Sequence, residues 1–309
     1  MTKIYQVLLC LSLMCLAYSC NKRERMEKDP IKNKYFEALK KFNWQSDFEK
    51  VYSLLKPAIK VNQSNIFDND IGISKFGGTP DLPEGINWPE FEGKPMIFLA
   101  QINFDETKDY DVEGILPKSG ILYFFIHFNS PENEFGTEYQ FIFNKNEYKV
   151  IYAENQNLRN TKYPENLIAD YHFKPSKMEF ERFYTFPDSD ALEMNTLHPE
   201  DENNSYPFNE RYGNFEGEQV LGYTMPIQGD VTWDWAFSYL NFKTFELTDE
   251  DKNKIDSLRP EFINLLQFSL ENSYTGFERI GISIGYFGIT KKDLKNKNFQ
   301  NVVLIFQDT

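Results

Sequence analysis

The chain has 309 residues, 41% hydrophobic and 26% charged, a balance too polar for a protein of many membrane spans and too apolar for a disordered one. Its 33 basic against 47 acidic side chains give a formal charge of -14, the wrong sign for holding a phosphate backbone, so nucleic-acid binding is set aside. Aromatic residues at 17%, with 15 Pro and 16 Gly, describe short strands and tight turns packed on large flat rings.

Lys3 followed by the apolar run 4–17 has the size of a secretory leader and is too short to cross a bilayer comfortably. At its end Leu16-Ala17-Tyr18-Ser19-Cys20 resembles a bacterial lipobox, although Tyr18 stands where a stricter one has a small residue. Residues 1–19 are therefore expected to be a lipoprotein signal peptide and Cys20 the lipidated residue, with a plain cleaved leader as the alternative. Cys10, Cys15 and Cys20 are the three cysteines, so the body beyond them has no disulfide and no thiolate metal site. Residues 20–30 mix Lys22, Arg23, Arg25 and Lys28 with Glu24, Glu27 and Asp29, the pattern of a solvated tether. The expected location is the bacterial cell envelope, as a membrane-anchored lipoprotein facing the periplasm or the cell surface.

Phe36, Leu39 and Phe42, then Phe48, Val51 and Leu55, recur at helical spacing and predict two amphipathic helices lying as a lid over a sheet. Ser46 with Glu49 is a capping-box pattern that starts the second helix at Asp47, and Pro57 is expected to kink or end it. Alternation from Val61 is interrupted by a structured loop at Gly77-Gly78-Thr79-Pro80-Asp81-Leu82-Pro83 and Asn87-Trp88-Pro89. Strands are predicted at 96–104, 120–128, 139–144 and 148–153 as an antiparallel meander, and again at 178–186, with 198–217 as loop. Thr248 before Asp251 caps a short helix that must end by Arg259, since Pro260 cannot continue it. Strands at 262–270 and 282–289, a helical turn capped by Thr290 and a last strand at 302–306 complete an α+β chain, β-rich with mostly antiparallel sheets.

Two of these strands echo each other. Ile97, Leu99, Gln101 and Asn103 alternate in one, Ile263, Leu265, Gln267 and Ser269 in the other, and each is followed by a Tyr-Phe pair, Tyr123-Phe124 and Tyr286-Phe287. A wider set of pieces resembles the YwqG-like bacterial proteins, a domain family of unknown function. They are Lys75-Phe76-Gly77-Gly78-Thr79-Pro80 with Leu82-Pro83 and Trp88-Pro89, Phe98-Leu99-Ala100-Gln101-Ile102, and the run from Leu116 through Phe125. Leu221-Gly222-Tyr223, Ile227-Gln228-Gly229-Asp230, Leu265-Leu266-Gln267 and Gly285-Tyr286-Phe287 follow in the same order. The resemblance implies a single domain over 31–309 built of two related β-rich halves, about 31–165 and 166–309. It carries over no catalytic residue. Where family members tend to have an acidic strand end and a Trp-Gly-Asp stretch, this chain has Ser269-Leu270-Glu271 and Arg279-Ile280-Gly281, and it ends on Phe306-Gln307-Asp308-Thr309 in place of tryptophan, aspartate and cysteine.

Chemical motifs are sparse. Gly281-Ile282-Ser283-Ile284-Gly285 spells a nucleophile elbow, but its β-branched flanks favour continuous strand and no histidine follows Ser283. Asp109, Asp111 and Glu113 imitate the start of a calcium loop that Gly120 fails to close, and Asp68 with Asp70 is weaker still. His127, His172 and His198 lack metal-ligand spacing, and there is no phosphate loop, so neither metal nor cofactor is expected. Gln101 and Gln267, amides inside apolar strands, must find partners and are read as braces ahead of ligand contacts. Trp88, Trp233 and Trp235 complete the candidate set, with Trp233-Asp234-Trp235 a sugar-stacking or partner-binding tip unless it merely packs. These readings favour a lipid-anchored, non-catalytic module that binds a protein partner with a basic surface, in one version an immunity protein against an exported toxin. The alternative is an envelope hydrolase acting on glycans or peptides through carboxylates.

Overall fold

The computed structural model describes residues 29–42, 48–64, 71–128, 145–154, 157–197, 217–271, 274–281 and 283–307. The leader with Cys20, the Ser46 cap, the strand expected at 139–144, His198 and nearly all of the 198–217 loop lie outside the described residues. No helix among those described is long and apolar enough to cross a membrane.

Asp29 opens the fold by accepting the N–H groups of Ile31 and Lys32 at 3.1 and 3.0 Å, and Pro30 fills the first helical position, where an N–H would go unused. Helix α1 (Pro30–Leu39) and helix α2 (Phe48–Leu54) bury Phe36, Leu39 and Val51 in a cluster with Leu55, Tyr184, Phe186 and Met194. Strand β1 (Lys56–Ser64) follows at once. It corrects two expectations, because α2 ends at Leu54 without Pro57, and the extended run starts at Lys56 rather than Val61. Pro57 is the second residue of β1, near a strand start where a missing ladder donor is tolerated.

The chain then forms β2 (Lys75–Phe76), β3 (Asp81–Pro83), β4 (Glu90–Phe91), β5 (Lys94–Pro95), β6 (Ile97–Asn103), the short α3 (Phe104–Thr107) and β7 (Ile121–Ile126). After these come β8 (Tyr148–Ala153), β9 (Leu158–Asn160), β10 (Ser176–Thr185), β11 (Glu218–Leu221), α4 (Val231–Tyr239) and α5 (Asp249–Leu258). Strands β12 (Phe262–Ser269) and β13 (Ile284–Thr290), α6 (Lys291–Lys295) and β14 (Val303–Gln307) finish the fold. The capping box expected at α5 forms, with Thr248 Oγ1 accepting the Asp251 N–H and the Asp251 carboxylate accepting the Thr248 N–H. Thr290 caps α6 in the same manner through the Asp293 N–H.

Among the described residues ten strands make one antiparallel sheet in the order β14-β13-β12-β11-β1-β10-β2-β6-β7-β8. The long pair β1–β10 lies at its middle, and a three-strand wing hangs from either side by a short strand. The sheet curls into a nearly closed barrel. Tyr148 O–H at one edge donates to the carbonyl of Val302 beside the other at 2.9 Å, and the Phe124 and Phe287 rings meet at 4.8 Å across the interior. Curling removes most of the exposed strand edge that a flat sheet of this width would offer.

The outer face of each wing is covered as well. Trp88, Phe91 and Leu82 lie over Phe98, Tyr123 and Phe125 on one, while Trp235 and Ile255 from α4 and α5 lie over Tyr286, Val303 and Ile305 on the other. Burial on both faces is why β7 reads ILYFFI, with every residue buried, rather than alternating with polar positions. The Trp235 ring lies directly against the backbone of Gly288, where an added Cβ would sit 2.3 Å from Trp235 Cδ2. Gly288→Ala is therefore expected to destabilise the protein by about 1–3 kcal/mol through overpacking, read as a lower urea midpoint with an unchanged slope.

Candidate functional site

The two glutamines singled out in the sequence occupy matching places. Each follows a bulge by two residues, Leu99 and Leu265 being the extra residues, and each lies opposite a tyrosine in the ladder, Gln101 against Tyr123 and Gln267 against Tyr286. Gln101 Oε1 accepts the N–H of Asp81 at 2.8 Å while Tyr123 O–H donates to the Asp81 carbonyl at 2.6 Å. Gln267 Oε1 accepts the N–H of Met225 at 2.9 Å while Tyr286 O–H donates to the Met225 carbonyl at 2.8 Å. Each pair thus clamps both polar groups of one residue that has just left the sheet. Burial drives both tyrosine hydroxyls far above their ordinary range, so they remain donors at any accessible pH.

The first clamp surrounds a buried ion pair. Lys75 Nζ reaches Asp81 Oδ2 at 2.8 Å, the same oxygen accepts Gly72 N–H and Gln101 Nε2, and Oδ1 accepts Asn160 Nδ2. Burial alone would raise the Asp81 carboxyl, but bonds from Lys75 and Asn160, the lysine charge and the Gly72 amide outweigh it and hold the group below its ordinary value. Burial pulls the Lys75 ammonium down against the attraction of Asp81. A pair this fully bonded positions a loop; it has no spare valence for chemistry.

Beside the second clamp the surface opens into a cleft of about 620 Å³, counting its solvent-open mouth. It is lined by Lys56 from the start of β1, Asp188 and Ala191–Glu193 after β10, Gly222–Thr224 and Pro226 after β11, Asp230, Thr232 and Trp235 at α4, and Arg259, Pro260, Phe262 and Asn264. Sequence reasoning did not assemble this set. Leu221-Gly222-Tyr223 and Asp230 were noticed as family pieces, while Lys56, Asp188, Glu193 and Asn264 come from distant elements and carry no motif.

The cations of the cleft are spoken for. Lys56 Nζ pairs with Glu193 at 2.8 Å and sits 3.8 Å from the centre of the Tyr223 ring. Arg259 pairs with Asp230 at 2.5 Å and Asp256 at 3.1 Å, and Asp230 at the same time caps α4 through Thr232 N–H. Asp188 has no cation paired to it among the described residues. Burial raises its carboxyl, the charges of Asp190 and Asp230 adding to this and bonds from Asp190 N–H and Ser189 O–H opposing it. Asn264, 2% exposed, donates Nδ2 to the Leu221 carbonyl at 3.2 Å, while its Oδ1 has no hydrogen-bond donor.

The remaining sequence candidates fall elsewhere. Trp233-Asp234-Trp235 is a turn of α4 rather than a loop tip: Trp235 is buried with Nε1 donating to Tyr286 O, and Trp233 stacks on Phe237 and Phe245 at 5.3 and 6.1 Å. Trp88, half-buried, donates to Met96 O at 2.7 Å and packs on Phe125. Ser283 is buried at the entry to β13 with no partner on Oγ and no base bonded to it. Asp111 accepts Leu116 N–H, His127 packs on Phe91, and His172 stacks on Tyr163 at 4.0 Å. No group of three or more potential metal ligands occurs among the described residues.

Removing either end of a clamp has a defined cost. Tyr286→Phe and Tyr123→Phe are each expected to lower stability by about 1 kcal/mol, and Gln267→Leu, which strands the Met225 N–H, by about 1–3 kcal/mol, with a double-mutant cycle in urea giving non-additive losses. Asp234 behaves oppositely. Burial pushes its carboxyl up to about 7, with the Asp230 charge adding and Gln307 and Arg259 opposing. A raised folded-state value means the stabilisation is complete below the ordinary 3.8 and is lost as pH rises through about 7. Asp234→Asn is expected to stabilise the protein by roughly 2 kcal/mol near pH 8 and little near pH 4, checked by melting at both.

A comparison with curated proteins finds no match. A family model described as a domain of unknown function, DUF1963, matches residues 74–307. That span takes in both clamps, the Lys75–Asp81 pair and every lining residue of the cleft except Lys56. The chain belongs to the DUF1963 family.

Proposed function

We propose that this chain is a YwqG-like lipoprotein of the bacterial envelope, anchored through a lipid on Cys20, whose β-rich body recognises a basic protein partner and performs no reaction of its own. The observation that carries this reading is the cleft. Its two cations are each paired with a carboxylate of the same wall, Asp188 is left without one among the described residues, and the chain around it carries a formal -14, so what the site lacks is positive charge. Such a surface attracts a basic partner from a distance and sets its orientation on arrival. An immunity-like role against an exported toxin is the version that suits an envelope location.

The hydrolase reading draws on the raised Asp188 carboxyl, the kind of group that serves as a general acid. Against it, Glu193 and Asp230 are held in ion pairs, which leaves Asp188 no free carboxylate in the cleft with which to divide acid and base roles. We further propose that the two wings belong to related halves of the chain. The matched bulges, glutamines and tyrosines support that relation more strongly than the sequence echo alone.

Cross-linking and affinity capture from intact envelopes test the function. The anchored protein is expected to recover one basic protein in stoichiometric amount, with yield falling as salt rises, and the Cys20→Ser form to be released from the membrane and lose it. Repeated captures without a specific partner, alongside cleavage of envelope glycans or peptides that Asp188→Asn abolishes, would overturn the binding reading in favour of the hydrolase.

A further inference from the structure

We propose that the cleft between Lys56, Tyr223 and Asn264 is a receptor for a single organic cation, a guanidinium or alkylammonium group, held by the carboxylate of Asp188 and the side-chain oxygen of Asn264. The assignment of that cation to a side chain of a protein partner rests on the function proposed above; the chemistry of the pocket does not.

The argument is one of donors and acceptors. Lys56 Nζ is engaged by Glu193, and Arg259 by Asp230, Asp256, the Thr232 hydroxyl and the Asp190 carbonyl, so both cations lining the wall already have acceptors. On the other side, both bonds reaching the Asp188 carboxylate, from Ser189 O–H and Asp190 N–H, fall on Oδ1, which leaves Oδ2. Asn264 cannot resolve its own unpaired oxygen by turning over. Its Nδ2 donates to the Leu221 carbonyl, and a flipped amide would set two carbonyl oxygens against each other. A buried acceptor left without a donor is costly, and a ligand that brings N–H groups recovers that cost.

The backbone beside this amide is held under strain. Leu221 has φ of 64°, a left-handed conformation that a branched side chain adopts only at a cost, and its carbonyl is gripped by both Asn264 Nδ2 and Gln219 Nε2. At the corresponding place beside the first clamp the chain has Gly77, with φ of 61° and no such cost. The walls suit the hydrocarbon stem behind a charged head, since Tyr223, Pro226, Trp235, Pro260 and Phe262 line them. An anion would meet three carboxylates, and an uncharged polyol would leave the Asp188 charge uncompensated.

Calorimetric titration of the purified protein tests the assignment with four probes: N-acetyl-arginine methylamide, N-acetyl-lysine methylamide, spermidine, and N-acetyl-citrulline methylamide as the uncharged copy of the first. At least one cation is expected to bind, with the citrulline compound weaker by about ten- to a hundredfold. Asp188→Asn should weaken the cation by a similar factor, and so should Asn264→Leu, which removes the acceptor while the Leu221 carbonyl keeps its bond from Gln219 Nε2. Binding of the amino-acid probes points to a partner's side chain, and binding of spermidine alone to a free polyamine. Cation binding without any captured envelope protein would retain the pocket and overturn the function proposed above. Capture of a basic protein by a chain whose cleft ignores every cation, or binds them as tightly after Asp188→Asn and Asn264→Leu as before, would overturn the pocket and leave that function standing.

Discussion

A residue that leaves a β-sheet gives up both of its ladder bonds, and in a buried position both must be replaced. At Asp81 and at Met225 two paired strands supply the replacements, β6 and β7 at the first, β12 and β13 at the second, a glutamine oxygen for the N–H and a tyrosine hydroxyl for the carbonyl. The accepting glutamine and the donating tyrosine stand opposite each other in the ladder, so the clamp is set as soon as the strands pair. Both loops that shape the molecule's outer surfaces depart from these points. One carries Trp88 over the first wing, and the other carries Asp230 and the head of α4 over the second.

The clamps differ in what surrounds them. Around Asp81 the polar groups are charged and complete, with Lys75, Gln101, Gly72 and Asn160 all bonded to one carboxylate. Such a pair contributes little net stability after desolvation, yet breaking it would leave a bare buried charge, so it enforces one loop position. Around Met225 the same job falls to neutral amides. Gln219 Nε2 donates to the carbonyls of Leu221 and Tyr223, and its Oε1 has no donor. The neutral version fixes the chain less completely and leaves unpaired acceptors close to the solvent-open cleft.

Much of the framework was legible because it rests on local chemistry. The apolar stripes of α1 and α2, the Thr248–Asp251 and Thr290–Asp293 caps, and the strands containing Gln101, Tyr123, Gln267 and Tyr286 all announce themselves within a few residues. What escaped did so for identifiable reasons. Helix α4 hides in Trp233-Asp234-Trp235, where aromatic and β-branched neighbours outweigh the helical signal and Asp230 is a one-residue cap. Strand β11 is four residues long and follows a run, 198–217, whose Asp, Glu, Asn and Gly carry no strand or helix pattern in the sequence. The cleft joins Lys56 to Asn264 through tertiary packing alone, and a lone asparagine in an apolar strand looks no different in sequence from a brace such as Gln267. Only the absence of a donor on its oxygen separates them.

Local costs are unevenly spread between the two clamps, and that distribution bears on function. Leu221 strained at positive φ, the orphan oxygens of Gln219 and Asn264, the raised carboxyl of Asp188 and the buried Asp234 all gather around the second. Beside the first, glycines take the left-handed positions and the central carboxylate is saturated with donors. The same mechanical task can therefore be done without these penalties, since the first clamp does it. Selection for stability alone would remove them, one small substitution at a time. Their gathering on one side, at the mouth of a cleft, is what the cation site proposed above would ask of the residues that build it.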